Sequence, residues 1–374
     1  MKKWFLYIAA AASLASCIYP FEPELDNAPE KTVVVDGRIL IGGTSTIRLD
    51  YLSPLNSTGY SYSRPNGLAW IEDDLGNIYP AQETGGNVFN IPTDTGTTSG
   101  GRQFRSVVQV DGETYVSDWL SPDPEPDIKE IHFDANESSV IVSVDIDPGL
   151  NGSGYLGFLF EETWEFHAEV YAEYYVDTQT WTYEIFQNGY PFYWCWRSFN
   201  PGQVTLVNYT DLGKGVIRNL PVRTFSRTDT RNHRRYSILV KAFALSKEAY
   251  DYNHQTQEIS DIGGDLFSPD PGALTGNLVC ESSPERPVMG MVLAGRVAAK
   301  RAFLNSQFLI NRPPSVTYEQ VARADMEEYY YQRNYRPVTY VNFDSGSDMG
   351  WAHHRCINCI EAGGTQERPD FWED

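Results

Sequence analysis

The most regular hydrophobic pattern in the chain is an alternation between Tyr155 and Tyr175. Every second position, starting at Leu156, carries an apolar side chain, with an exception at Glu162. Since successive side chains of a strand point to opposite faces, this pattern predicts a strand with one buried and one solvated face. Its length predicts one bent strand or two strands in series. The solvated face would carry four acids: Glu161, Glu165, Glu169 and Glu173.

Shorter alternating runs separated by turn residues occur on both sides of this segment. The runs 104–110 and 115–119 flank Asp111-Gly112, a pair typical of two-residue hairpin turns. The segment 121–127 contains three prolines in five positions, which cannot pair within a sheet. We therefore predict an all-β fold with two consecutive β-sandwich domains of immunoglobulin or fibronectin type, at 32–120 and 128–310.

One or two short helices interrupt the β pattern. Ser246 is a candidate N-cap for a helix that ends near Glu258. A second helix is predicted over 318–333. The remainder of residues 311–374 is irregular, rich in aromatic residues and contains two cysteines, so we predict a C-terminal region pinned to the second sandwich.

The N-terminus has the pattern of a bacterial lipoprotein signal peptide. Lys2 and Lys3 precede an apolar run that is too short to span a bilayer, and small residues lie directly before Cys17. We predict that residues 1–17 comprise the signal and the lipidated cysteine, an ordinary secretory signal being the alternative. The acidic residues 18–31 are interpreted as a tether. In Bacteroidota, acidic residues after the lipidated cysteine resemble a surface-export signal, which predicts an outer-membrane protein that faces the cell exterior. The alternative is a plain solvated linker on a lipoprotein that faces the periplasm.

The net charge restricts the classes of partner. The chain has 29 basic and 50 acidic residues, a net charge of -21, and loss of Lys2 and Lys3 with the signal peptide gives -23. A chain this acidic lacks the basic surface that neutralises phosphates, so we expect no binding to nucleic acid. Repulsion from anionic lipid would leave the N-terminal acyl anchor to hold the protein at the membrane.

The cysteines of the mature chain predict disulfides. After Cys17 they are Cys195, Cys280, Cys356 and Cys359. An exported protein meets an oxidising environment, so an even number predicts two disulfides, for which three pairings exist. Cys356 and Cys359, beside His353 and His354, also suggest a zinc site or a redox pair. Adjacent histidines cannot easily turn to one ion, and no strand-to-helix turn is evident, so we favour structural disulfides and predict neither metal nor cofactor.

The glutamates of the alternating run suggest a glycosidase, because same-face neighbours on a strand have nearly the spacing of two catalytic carboxylates. A solvated sheet surface explains them without catalysis, so we predict no catalytic residues. Glu162 differs because it lies on the apolar face, where it requires a polar partner or a local bend. It is therefore the first residue to test for an extracellular hydrolase.

Two aromatic clusters are candidates for binding. The first surrounds Cys195 and includes Tyr193, Trp194 and Trp196. Core packing against a disulfide is its simpler interpretation, and an exposed platform for a sugar, a peptide or a partner is the alternative. The second cluster consists of Tyr329, Tyr330 and Tyr331. It ends a polar predicted helix, so we expect it to be exposed.

Several motifs, in this order, resemble those of one bacterial family. After the lipobox they are Val33-Val34-Val35-Asp36-Gly37, Ser53-Pro54-Leu55-Asn56, Val288-Met289-Gly290, Cys356-Ile357-Asn358-Cys359 and Arg368-Pro369-Asp370-Phe371-Trp372. The chain resembles a Bacteroidota family of outer-membrane lipoproteins, labelled as a domain of unknown function, that are encoded beside SusC-like TonB-dependent receptors. The resemblance covers nearly the whole mature chain. The segment 312–345 departs from it and is interpreted as an insertion that contacts a partner.

The resemblance implies a β-sandwich surface lipoprotein that accompanies an outer-membrane transporter. We therefore expect a non-enzymatic accessory subunit of a TonB-dependent nutrient transporter, with a role in substrate capture or as a docking lid. A structural subunit of another outer-membrane complex, such as barrel-assembly or secretion machinery, is the alternative. An extracellular hydrolase is a third hypothesis.

Overall fold

The computed structural model describes residues 32–52, 65–82, 87–93, 102–149, 153–212, 215–262, 276–305 and 316–373. Within these ranges the chain consists mainly of β-strands with a few short helices, which confirms the all-β class. Cys17, the predicted tether and the motif at 53–56 lie outside the described residues. No helix in these ranges is long and apolar enough to cross a membrane.

The elements follow one another along the chain as strands β1–β22 and helices α1–α3. The strands are β1 (Val33–Ile41), β2 (Gly43–Tyr51), β3 (Gly67–Asp73), β4 (Ile78–Pro80), β5 (Val88–Thr93), β6 (Phe104–Val110), β7 (Glu113–Ser117), β8 (Asp127–Ala135), β9 (Ser139–Asp147), β10 (Tyr155–His167), β11 (Tyr174–Asp177), β12 (Thr182–Ile185), β13 (Trp194–Phe199), β14 (Thr205–Asn208), β15 (Ile217–Ser226), β16 (Arg235–Ala244), β17 (Leu278–Cys280), β18 (Val288–Arg296), β19 (Ala298–Asn305), β20 (Glu319–Gln320), β21 (Tyr335–Phe343) and β22 (Gly346–His353). The helices are α1 (Lys247–Ile262), α2 (Met326–Tyr331) and α3 (His354–Ile357).

Nine of the described strands form a first sandwich. One sheet has the order β18-β1-β2-β5, and the facing sheet has the order β17-β7-β6-β3-β4. Alternate residues of the strands, such as Val35, Ile47 and Ile71, fill the core between the sheets. The predicted Asp111-Gly112 turn joins β6 to β7 with φ angles of 54° and 82°, the positive values that the tight hairpin turn requires.

Two strands of the first sandwich come from far along the chain. β18 pairs in parallel with β1, from Val33 opposite Val288 to Ile41 opposite Arg296, and β17 pairs with β7. The predicted boundaries are therefore corrected: residues 32–120 lack two strands of their sandwich, and 128–310 is not one continuous domain. A parallel partner for β1 requires a long crossover. Strands of the second sandwich lie within that crossover, so the two units are interleaved along the chain.

The second sandwich packs the sheet β13-β10-β16-β19, with β14 beside β10, against the sheet β15-β9-β8. The long alternating run forms β10 and, after a stretch without strand structure, the start of β11, so of the two predicted alternatives the structure has two strands in series. Leu156, Phe158 and Phe160 of β10 enter the core and pack in the same cluster as Val142 and Val144 of β9.

An apolar cluster joins the two sandwiches. It contains buried side chains from both units: Leu40, Tyr155, Val204, Phe243, Leu245, Ala249, Leu293 and Val297. Helix α1 contributes to it and begins at the predicted cap, where the Ser246 hydroxyl accepts a hydrogen bond from the Ala249 N–H at 3.2 Å. This confirms the first predicted helix.

A third layer, built around β11–β12, β20–β22, α2 and α3, packs where β10 ends. It contains the hairpin β11–β12 and the sheet β20-β22-β21. The predicted helix over 318–333 is corrected, because only Met326–Tyr331 is α-helical and it follows a short strand and a 3₁₀ turn. The sequence pattern does not predict the hairpin β21–β22, since Pro337 interrupts its alternation at a register shift.

One disulfide is present among the described residues, between Cys195 of β13 and Cys359. The prediction of two disulfides is wrong. Cys280 is buried in the core of the first sandwich, whereas Cys356 lies in the third layer, so these two thiols belong to different packing clusters and remain free. The bridge ties the third layer to the second sandwich.

Candidate functional site: an aromatic face on the third layer

Backbone hydrogen bonds bring distant segments of the chain together in the third layer. The Ala168 N–H donates to the Tyr193 carbonyl at 2.8 Å, and the Val170 N–H donates to the Cys356 carbonyl at 3.1 Å. The segment that follows β10 is thereby held between residues just before β13 and helix α3. Aromatic residues of the first two segments come side by side as a result, and helix α3 adds His354 and Ile357 next to them.

We call the aromatic residues gathered here the aromatic face. They are Tyr171, Tyr174, Tyr175, Phe186, Tyr190, Phe192, Tyr193, Trp194, Tyr330 and Tyr331. Tyr331 is 63% exposed, Tyr171 and Tyr175 are each 42% exposed, and Trp194 is 37% exposed. Clustered exposed apolar surface is typical of interaction sites, whereas single exposed rings are not.

A pocket of about 160 Å³ lies within the aromatic face. Six rings line it together with Arg336 and His354: Tyr174, Tyr175, Phe186, Tyr190, Phe192 and Tyr330. Edge-to-face contacts order the rings, with the Tyr190 centroid 5.2 Å from that of Phe186 and 5.8 Å from that of Phe192. The Arg336 guanidinium lies 3.8 Å from the Tyr330 ring centroid and donates to the Tyr330 carbonyl at 2.8 Å.

Burial sets the charge of the pocket. Desolvation raises the pKa of the Tyr190 phenol to about 12, although Arg336 opposes the rise. Desolvation also lowers the pKa of His354, an effect opposed by the Glu361 carboxylate at 2.6 Å. At neutral pH the pocket therefore offers a neutral phenol and one fixed cation, Arg336. Such a lining suits a flat apolar group that carries a polar or negatively charged substituent.

The second predicted cluster contributes to this pocket. Tyr330 lines it, and Tyr331 is exposed beside it, as expected. The expectation of exposure is wrong for Tyr329 and Tyr330, which are half-buried. Trp181 contacts both rings edge-on, with centroid distances of 6.2 and 6.3 Å. Tyr329 turns away and packs edge-on against Tyr335 at 5.6 Å, so it supports helix α2 and does not line the pocket.

The first predicted cluster adjoins the pocket through Tyr171. The Tyr193 ring stacks on His167 at 5.0 Å, and Trp194 meets the same imidazole edge-on at 5.2 Å. Tyr171 contacts Tyr193 edge-on at 5.1 Å, and its hydroxyl accepts the N–H of Tyr190 at 3.1 Å. The two clusters therefore adjoin each other. Trp194 is exposed, whereas Tyr193 is half-buried and also packs against the core, so the platform interpretation stays a prediction.

Trp196 has a different position from its neighbours. Its ring is half-buried, and its backbone pairs with Thr365, each N–H donating to the other carbonyl at 2.8 Å. This residue holds the C-terminal tail against β13, so packing is the correct interpretation for this member of the first cluster.

Sequence reasoning assigns no binding role in a pocket to five of its aromatic and charged residues: Tyr174, Tyr175, Phe186, Arg336 and His354. Tyr174 and Tyr175 occur where the alternating run ends, which marks a strand but no site. Arg336 lies in a segment without a motif, and His354 adjoins the Cys356–Cys359 motif, which suggests a metal site and not a pocket. Their role arises from long-range packing, and no local pattern in one sequence signals it.

Glu162, the first candidate for catalysis, is completely buried between the sheets of the second sandwich. Arg223 donates to its carboxylate at 3.0 and 3.3 Å, Arg231 donates at 2.9 Å and the Tyr236 hydroxyl donates at 2.8 Å. Burial raises the pKa of Glu162, but these donors outweigh that effect and hold it below its ordinary value. A buried, ionised carboxylate that is paired by two arginines and a tyrosine has the features of a structural ion cluster.

The structure also decides the interpretation of the other residues that were candidates for catalysis, redox chemistry or metal binding. The prediction that Glu165 lies on a solvated face is wrong, because Arg234 covers it and donates to its carboxylate at 2.6 Å. Cys359 is bonded to Cys195, so it forms no redox pair with Cys356. Among the described residues, no group of three histidine, cysteine, aspartate or glutamate side chains is placed to hold a metal ion.

Comparison with known proteins places this architecture in a family. No curated protein matches the chain. Among solved structures, a DUF4785 family protein from Legionella pneumophila is 10% identical over 55% of this chain, with a TM-score of 0.17, and the chain spans about half (49%) of that protein's length. A TM-score this low supports no inference about fold or function. A family model described as a domain of unknown function, DUF4249, matches residues 18–301. The chain belongs to the DUF4249 family, whose match covers most of the two sandwiches and ends before the sheet and helices that complete the aromatic face.

Proposed function

We propose that this protein is a non-enzymatic, lipid-anchored outer-membrane protein that binds a partner through the aromatic face. More specifically, we propose that it is an accessory subunit of a SusC-like TonB-dependent nutrient transporter on the exterior of a Bacteroidota cell. The observation that carries the binding role is the pocket that unites Tyr190 and Phe192 with Tyr330 beside solvent-exposed rings.

The energetics of the aromatic face favour association. Tyrosine and tryptophan side chains supply most of the energy at protein interfaces, with losses of about 2 kcal/mol or more when a central ring is removed. Edge-to-face contacts such as Tyr171–Tyr193 hold the rings in place, so binding costs little side-chain entropy. Without a partner, the Tyr331 ring stays in water and contributes no such burial energy.

The aromatic face lies at the end of the second sandwich remote from the first. β10 begins at Tyr155, in the cluster shared by both sandwiches, and runs for 13 residues to His167, which contacts Tyr193. At about 3.3 Å per residue, β10 separates the aromatic face from the junction by about 40 Å. The described chain starts at Thr32, which leads into the first sandwich. A lipid on Cys17 would then hold the first sandwich near the membrane and leave the aromatic face available above it.

The anchor and the orientation have direct tests. Mass spectrometry of the N-terminal peptide should find acyl chains on Cys17, and external protease should cleave the protein on intact cells. An unacylated N-terminus, or protection from external protease, would refute these two parts of the proposal while leaving the binding role open.

The partner is tested by purification in detergent through a C-terminal tag. We expect a SusC-like receptor to co-purify with the wild type, and its recovery to fall about tenfold when Tyr330 and Tyr331 are replaced by alanine, which corresponds to about 1.4 kcal/mol. The control is Leu68→Ala, which removes an apolar side chain that is 65% exposed on the first sandwich. Recovery of barrel-assembly or secretion proteins would favour the alternative complex. Unchanged recovery in the double variant would exclude the aromatic face as the docking surface.

A further inference from the structure

A polar groove lies between the two sandwiches, away from the aromatic face. One wall is the outer surface of β1, β2 and β5, and the other includes the loop at 200–203. The groove has two parts, of about 230 and 590 Å³. They are continuous because both are lined by the same central residues: Arg38, Thr46, Asn90, Asn200 and Gly202.

The groove concentrates positive charge in an acidic chain. It contains Arg38, Arg48 and Lys241 against Asp36 and Glu161, a net charge of +1, whereas the whole chain has a net charge of -21. Lys241 forms an ion pair with Glu161. Among the lining residues, the remaining excess charge is therefore carried by the two arginines around Asp36, with Asp50 as a second acid beside Arg48 outside the lining.

The two arginines have complementary environments. The Arg38 Nη1 donates to the Gly202 carbonyl at 2.6 Å, which fixes its guanidinium in the groove wall. The Arg48 side chain is 59% exposed, and its contact with the Asp50 carboxylate is 3.9 Å, at the limit of an ion pair. Asp36 lies opposite Arg48 in the pairing of β1 with β2. Arg38 therefore provides a positioned donor group and Arg48 an adaptable one.

The directions in which the pKa values of Asp36 and Arg38 shift agree with incomplete compensation of these charges. The Asp36 side chain reaches solvent, yet the groove encloses it, and this desolvation raises its pKa against the opposing effect of Arg38 and Arg48. Desolvation likewise lowers the pKa of Arg38. A partly desolvated guanidinium gains more from an added anion than one in bulk water does.

We propose that the groove binds an oxyanion, either a carboxylate or a phosphate, carried on a hydroxylated molecule. The planar guanidinium of arginine donates paired hydrogen bonds that match an oxyanion, and Arg38 and Arg48 supply two such groups. Thr46, Asn90 and Asn200 supply donors and acceptors for hydroxyl groups along the same groove. This site is separate from the aromatic face and requires neither the lipid anchor nor the barrel partner.

Isothermal titration of the full mature chain with three related sugars tests the site. Glucuronate and glucose 6-phosphate carry the two oxyanions on a similar ring, and glucose is the neutral control. We expect at least one anionic sugar to bind, glucose to bind at least tenfold more weakly, and the affinity for the anion to fall about tenfold in Arg48→Gln. Binding of only one anionic sugar would identify the carboxylate or the phosphate as the recognised group.

The matched control is Arg102→Gln, an exposed arginine of the first sandwich outside the groove. Its affinity should equal that of the wild type. Arg48 is exposed, so its replacement should leave the circular dichroism spectrum unchanged, and Arg38→Gln provides an independent second variant. The proposal would be overturned by equal binding of glucose and the anionic sugars, by unchanged affinity in both groove variants, or by no binding of either anion at millimolar concentration.

Discussion

The buried carboxylate of Glu162 provides the sharpest test of how the second sandwich is held together. Replacement by glutamine preserves the volume of the side chain but removes its charge. Arg231 would then face a neutral amide in the core, where its side chain is 12% exposed, and Arg223 would do so with 28% exposure. The NH2 group of the glutamine side chain would also face at least one of the donors that now bind Oε1 or Oε2. Two donors cannot form a hydrogen bond with each other.

The expected cost is worked from these contacts. Hydrogen bonds to a charged group contribute about 1.5–3 kcal/mol each, and Glu162 accepts them from three side chains. The amide oxygen of the glutamine keeps part of this hydrogen-bond energy, and Arg231 retains its ion pair with Asp229 at 2.8 Å. Breaking one side of a buried ion pair costs about 3–5 kcal/mol, and allowing for these retained contacts we expect Glu162→Gln to lower the free energy of unfolding by about 2–4 kcal/mol.

Urea unfolding followed by tryptophan fluorescence measures this change, because Trp164 lies beside the cluster with the Arg231 guanidinium 4.6 Å from its ring. The matched control is Glu161→Gln, one residue away, whose side chain is 41% exposed and paired with Lys241. The control should cost less than about 1 kcal/mol, as exposed ion pairs do. A loss below about 1 kcal/mol in Glu162→Gln, or equal losses in both variants, would refute the assignment of Glu162 as a structural anion.

Two further predictions concern pH and the interleaved topology. Burial lowers the pKa of His233 from its ordinary 6.5 to about 4, and the His167 ring at 4.3 Å contributes a smaller effect in the same direction. Between these two pH values the unfolded chain therefore binds a proton that the folded chain does not. Stability should therefore fall as the pH drops from 6.5 to 4, by about 1–3 kcal/mol after allowance for partial exposure, and His233→Asn should flatten the dependence of the urea midpoint on pH. The fragment 32–120 should not fold alone, because it lacks Leu278, Cys280 and Val292 of its own core; a well-dispersed NMR spectrum of this fragment would contradict the expectation.

The features that sequence reasoning predicts correctly are encoded locally. Every second side chain of β10 from Leu156 to Phe166 is buried as the alternation predicts, although the other face is buried or half-buried and not solvated. Asp111-Gly112 meets the conformational demand of its hairpin within two residues. Ser246 caps α1 through a hydrogen bond that spans three positions. Each of these signals is complete within a short window, so one sequence is sufficient to detect it.

The features that it misses depend on partners far along the chain. The apolar run at 288–294 lacks alternation because β18 is covered on both faces, Val292 entering the first core and Leu293 the junction. This pattern indicates a doubly buried strand but cannot name β1 as its partner. The pocket is similar: Tyr190 and Tyr330 are each one of many aromatic residues, and only the folded third layer brings them together.

The pairing of β1 with β18 also explains why the groove between the sandwiches has fixed walls. Along β1, Ile39 enters the first core while Leu40 enters the cluster shared with the second sandwich, so one pair of strands belongs to two cores. The two strands approach so closely that a Cβ at Gly290, where φ is 114°, would lie 1.9 Å from the Val35 carbonyl oxygen. Separating the sandwiches would expose the junction face of both strands, and the apolar contacts that prevent this also hold Arg38 of one wall against the carbonyl of the other. The arginine that we assign to oxyanion binding is therefore positioned by the interleaved topology itself, and a free first sandwich could not reproduce the site.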